Sequence, residues 1–112
     1  MLVDIEGYEA TGHSQPTGLQ PCLDRSGHLA DQLARASISI VLNIAEGAGK
    51  YSGPDKRRYF LSSLGSTTEC AAIFDILHRL DLIDPDVHRG TKEMLDRIAA
   101  MLVKLAKRHE RG

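Results

Sequence analysis

An all-α protein, its helices packed up and down as an antiparallel bundle, is what this 112-residue sequence predicts. Three observations carry that expectation. Apolar residues recur at three- and four-residue spacing through nearly everything after residue 27. The two interruptions, "EGAGKYSGPD" and "DLIDPD", have the composition of helix stops and starts. The one stretch that alternates like a strand, Ser37-Ile38-Ser39-Ile40, has Ala-rich helical sequence on both sides and no turn residue to set it apart.

Residues 1–27, "MLVDIEGYEATGHSQPTGLQPCLDRSG", hold four glycines and two prolines and no sustained helical period, which predicts an irregular or divergent arm. The bundle domain is expected over residues 28–112. In "HLADQLARASISIVLNIAEG", Leu29, Leu33, Ala36, Ile40 and Ile44 fall on one face. Ile38, Val41 and Leu42 fall off it, so this helix is apolar around most of its girth and needs cover on more than one side. In so short a chain the expected cover is another subunit.

Gly47 and Gly49 are expected to stop the first helix, because glycine enters the left-handed cap conformation without steric cost. Ser52 or Gly53 then caps a second helix, with Pro54 and Asp55 in its first turn. It should run to about Leu80, burying Phe60, Leu64, Thr67, Ala71, Phe74 and Leu77. Asp84 caps the third helix, followed by Pro85 and Asp86. Its expected buried stripe is Val87, Met94, Ile98, Met101 or Leu102, and Leu105. Its last turns gather Lys104, Lys107, Arg108 and Arg111, suited to the negative end of a helix dipole.

Composition narrows the function. A formal net charge of -1 argues against indiscriminate nucleic-acid binding by the whole surface. The charge is uneven, since residues 1–27 carry four acids against Arg25 alone. Cys22 and Cys70 sit in dissimilar surroundings and read as free thiols in a reducing compartment. No stretch approaches the length of a membrane span, and the start of the chain lacks the pattern of a secretory leader. A cytoplasmic protein is expected.

The glycines beside Lys50 raise the question of a phosphate-binding loop. That motif needs a glycine five residues before Gly49 and a hydroxyl straight after the lysine, and those positions hold Ile44 and Tyr51. The stretch reads as a corner between helices.

"SIVLNIAEGAGK", then "RRYF", then "LGSTTE" within the second helix, resemble the four-helix-bundle proteins encoded in intervening sequences of bacterial 23S rRNA genes. The same family includes the accessory variability protein of diversity-generating retroelements. The resemblance covers about residues 28–108. It implies a four-helix protomer assembled as a ring, typically a pentamer, with no known catalytic activity. It also implies that retroelement members contact nucleic acid and a partner reverse transcriptase through basic surfaces. Members normally begin with an amphipathic helix, so the first helix here reads as divergent or missing. The three remaining helices would leave an apolar groove bare, which predicts self-association.

No constellation points to an enzyme, a cofactor or a small-molecule substrate. Cys70 and His78 are eight residues apart on one helix, about 12 Å along its axis, too far to act as a pair. Ser62, Ser63, Thr67 and Thr68 have no base in register. His13, His28, His78, His88 and His109 lack the spacing of zinc ligands. Asn43 and Glu46, one turn apart, read as a structural pair at the corner, with Arg35, Arg57 or Arg58 available to neutralise the carboxylate. Gly65, costly in mid-helix, is expected to admit a close backbone crossing with the Ala45–Ala48 segment.

The candidate binding residues are basic and aromatic. Lys50, Lys56, Arg57 and Arg58 cluster at the corner, with Tyr51 and Tyr59 placed to stack on unpaired bases. Lys104, Lys107 and Arg108 form a second cluster on the third helix, where phosphate contact would be repeated by subunit symmetry. The expected function is a non-enzymatic oligomer that contacts RNA or a nucleic-acid enzyme such as a reverse transcriptase. The alternative is a purely structural or protein-interaction bundle.

Overall fold

The computed structural model describes residues 20–110, with side chains described from residue 27 onward. Within that span the protein is all-α, three helices and no strand: α1 (Gln20–Ala48), α2 (Gly53–Arg79) and α3 (Pro85–Arg108). The expectations for residues 1–19, and for Arg111, lie outside the described residues.

The helix expected to begin at His28 begins earlier, at Gln20. Pro21 is its second residue, where a missing N–H leaves no helical bond unmade. Gly27 is exposed, and a Cβ there would meet nothing within 4 Å. It weakens the helix locally without ending it. Proline and glycine read here as punctuation, and the local signal misled.

The starts of the other two helices follow the sequence closely. Ser52 Oγ accepts the Asp55 N–H at 3.2 Å, and Asp84 Oδ1 accepts the Asp86 N–H at 2.8 Å. Each capping oxygen satisfies one of the orphan donors of the first turn.

The helices run antiparallel with α2 in the middle. Its buried residues meet α1 along one side and α3 along the other. The main core cluster joins Leu33, Ala36 and Ile40 of α1, Cys70, Ile73, Phe74 and Leu77 of α2, and Leu95 of α3. A smaller cluster of Phe60, Leu102 and Ala106 closes the end where α1 turns into α2. Full burial of side chains such as Phe74 and Leu33 stabilises by about 1.5–3 kcal/mol each.

The stripe expected on α3 is rotated from the one observed. Thr91, Leu95, Leu102 and Ala106 face the core, while Met101 is exposed and Val87, Met94, Ile98 and Leu105 are half-buried. The sequence shows an apolar band wider than one contact, and its period alone cannot say which edge α2 covers.

The crossing of α1 and α2 is built from small polar side chains. Ser63 Oγ donates to the Ile40 carbonyl at 2.9 Å, and the Ser39 and Ser66 hydroxyls lie 2.7 Å apart. Asn43 Nδ2 donates to the Ser39 carbonyl at 2.9 Å and to Ser39 Oγ at 3.0 Å. The close approach assigned to Gly65 is therefore corrected. Gly65 is exposed, a Cβ there would meet nothing, and the serines beside it make the crossing. The tight glycine is Gly47, where a Cβ would sit 2.9 Å from Phe60 Cε1 and 3.1 Å from Tyr59 Cβ.

Candidate nucleic-acid interface

An up-down-up path returns the C-terminal end of α3 to the corner between α1 and α2. Phe60 of α2 and His109 just past α3 confirm the meeting, with ring centroids 6.0 Å apart. The two basic clusters separated by almost 50 residues of sequence thus share one end of the bundle. That end carries Lys50, Lys56, Arg57, Arg58, Lys104, Lys107 and Arg108, against Glu46, Asp55 and Glu110.

These cations divide into engaged and free. Lys56 Nζ donates to the carbonyls of Ala48 at 3.0 Å and Gly47 at 3.4 Å. It therefore neutralises the C-terminus of α1, where carbonyls lack helical partners. Lys50 lies 3.7 Å from Glu46, and Arg58 lies 3.7 Å from Asp55. Among the described residues Arg57, Lys104, Lys107 and Arg108 form no ion pair. Arg57 is half-buried, and its Nε is buried without a hydrogen-bond partner.

The two tyrosines part company as well. Tyr59 has Lys50 Nζ 5.2 Å and Arg58 Cζ 4.9 Å from its ring centroid, and it is half-buried. It serves the corner through cation–π contacts. Tyr51 is fully exposed.

Asn43 and Glu46 are brought to the same helix but not to each other. Asn43 bonds within the α1–α2 crossing, while Glu46 is exposed and faces Lys50. The expected arginine partners of Glu46 are not used. Gly47 and Gly49 lie at the corner, yet neither is left-handed; the Gly49 N–H bonds to the carbonyls of Ala45 and Glu46, each at 3.2 Å.

Sequence reasoning missed a cluster at the opposite end. Asp75 of α2 accepts from Lys92 Nζ of α3 at 3.0 Å and lies 2.8 Å from His88 Nε2. The His78 ring stacks on His88, nearly parallel, with centroids 4.2 Å apart. His88 first, and then Lys92, hold the Asp75 carboxyl below its usual range. The i, i+4 spacing of His88 and Lys92 was visible; their shared partner on another helix was not. Cys70 is fully buried, and burial pushes its thiol up, away from the reactive thiolate. Among the described residues no helix is long and apolar enough to cross a membrane, and no three potential ligands gather as a metal site.

No curated protein and no solved structure matches the chain. The family model for the 23S rRNA-intervening sequence protein matches residues 21–104, beginning one residue into α1 and ending in the last turns of α3. The match takes in all three helices and the corner between α1 and α2, and the chain belongs to the 23S rRNA-intervening sequence protein family.

Proposed function

We propose that this protein is a non-enzymatic, self-associating helical bundle whose basic end contacts RNA, alone or held by a nucleic-acid enzyme such as a reverse transcriptase. The observation that carries the reading is the convergence of two basic clusters on one end. Four of those cations, Arg57, Lys104, Lys107 and Arg108, have no acidic partner among the described residues. Phosphates are the natural partners of such a set, and a protein of net charge -1 needs its cations concentrated to attract them.

Self-association rests on a separate feature. Ile38, Val41 and Leu42 are 54%, 64% and 59% exposed along the outer side of α1. With Ala34 and Ala45 they make a second apolar seam at the four- and three-residue spacing of helix-packing surfaces. Leaving several hundred Å² of such surface in water would cost several kcal/mol at about 25 cal/mol per Å². A second copy is the occupant we assign, and a ring, as in a pentamer, would repeat the basic end around its axis. A purely structural bundle is the second reading, favoured by this seam alone.

Binding to ribosomal RNA fragments, followed by fluorescence polarisation, tests the first reading. Affinity should fall steeply between about 50 and about 200 mM salt as phosphate contacts release counterions. Salt-insensitive binding would contradict it, and an absence of binding would leave the structural bundle. Light scattering at micromolar concentration tests self-association; a compact, stable monomer would contradict it.

A further inference from the structure

We infer that the basic end takes single-stranded RNA, stacking an unpaired base on Tyr51 while cations of the same end, Lys107 and Arg108 among them, hold phosphates of that strand. This rests on the reading of that end as a nucleic-acid contact. Tyr51 sits in the corner between Lys50 and Ser52, with its ring fully exposed. Among the described residues it makes no hydrogen bond, ring contact or cation contact. Both faces of the ring are therefore open, and a large aromatic surface held in water contributes nothing to the fold. Tyr59 offers no such platform, because Lys50 and Arg58 already flank it.

Charge placement separates a strand from a duplex. The bundle measures 55 × 21 × 19 Å. Its long sides carry scattered cations such as Arg35 and Arg97, interspersed with Asp31, Glu93 and Asp96. Double-stranded RNA is read mainly through its shape and phosphates, over about 16 base pairs in the domains dedicated to it, and that requires a long positive surface. Here the positive surface is a short end, beside one open ring. Base stacking needs a face that a duplex hides, so this combination suits an unpaired nucleotide.

The test is fluorescence polarisation with an unstructured RNA of about twelve nucleotides and with the same sequence as a duplex. The full-length protein is compared with Tyr51→Ala and Tyr51→Phe, and circular dichroism checks that each is folded. The single strand should bind more tightly than the duplex. Tyr51→Ala should weaken single-strand binding about tenfold, Tyr51→Phe should retain it, and duplex binding should be unmoved. Equal or tighter duplex binding, or an unchanged Tyr51→Ala, would overturn this inference while leaving the basic end as a phosphate contact. Binding to neither RNA would overturn both.

Discussion

The two corners of the bundle solve one problem in opposite ways. The α1–α2 corner is rich in glycine yet holds no left-handed residue, whereas the α2–α3 corner has no glycine and turns through Asp81 at a φ of 56°. There the Asp81 N–H bonds to the His78 carbonyl at 3.0 Å and the Leu82 N–H to Leu77 at 2.9 Å, the paired bonds of a Schellman cap. At the first corner glycine supplies space, letting α1 approach Phe60, and Lys56 covers the open carbonyls. The corners differ in charge as well. At the second, Asp75, His88 and Lys92 are locked on one another; at the first, several cations have no acidic partner among the described residues. The second end ties α2 to α3 through ion pairs, and the first does so through the apolar contacts of Phe60.

The largest effect should come from emptying the first corner. Phe60→Ala removes the ring that joins Gly47, Leu102 and His109, and should cost about 3–4 kcal/mol in denaturant unfolding. Gly47→Val should cost about 2 kcal/mol, because its branches would enter the space that ring occupies. A Gly47→Val protein as stable as wild type would show that the glycine is not there for space.

Smaller changes of opposite sign are expected where backbone freedom matters. Asp81→Gly relieves a left-handed aspartate and should stabilise by about 0.5–1 kcal/mol, read as a rise in Tm. Gly65→Ala, on an open helical surface, should stabilise by up to about 1 kcal/mol. If Gly65→Ala instead destabilised the protein only at concentrations where it self-associates, Gly65 would belong to a contact between copies.

The smallest effect belongs to the second corner. Asp75 has its carboxyl lowered from 3.8, so its contribution is present above that value and is lost as pH falls through the lower, folded one. The side chain is 49% exposed, and solvent screening holds the contribution under about 1 kcal/mol. The stability of wild type and Asp75→Asn should therefore differ from neutral pH down to the ordinary carboxylate range, and converge only as pH falls on through the lowered, folded value.

Much of this was legible in the sequence. The caps at Ser52 and Asp84, and the inward face of α1 through Leu33, Ala36 and Ile40, depend on local spacing, and local spacing is what a sequence displays. The exposure of Ile38, Val41 and Leu42 was equally readable, as an excess of apolar surface over what one chain can cover. Other features depended on tertiary contact. Gly47 and Gly65 look alike in sequence, and only the position of Phe60 tells them apart. Lys56 and Tyr59 look like ligand-binding residues until the carbonyls and cations they serve are brought beside them. In the sequence the candidate site reads as two separate clusters; their union follows from the antiparallel topology, which brings the end of α3 against Phe60 near the first corner.

The division of labour between the ends is tested most directly by removing two positive charges from each in turn and measuring RNA affinity at low salt. Lys107→Ala with Arg108→Ala should weaken binding about tenfold or more, while Arg79→Ala with Arg89→Ala should leave it nearly unchanged. Equal losses from the two pairs would mean that binding follows overall charge, and would contradict a basic end set apart for a partner.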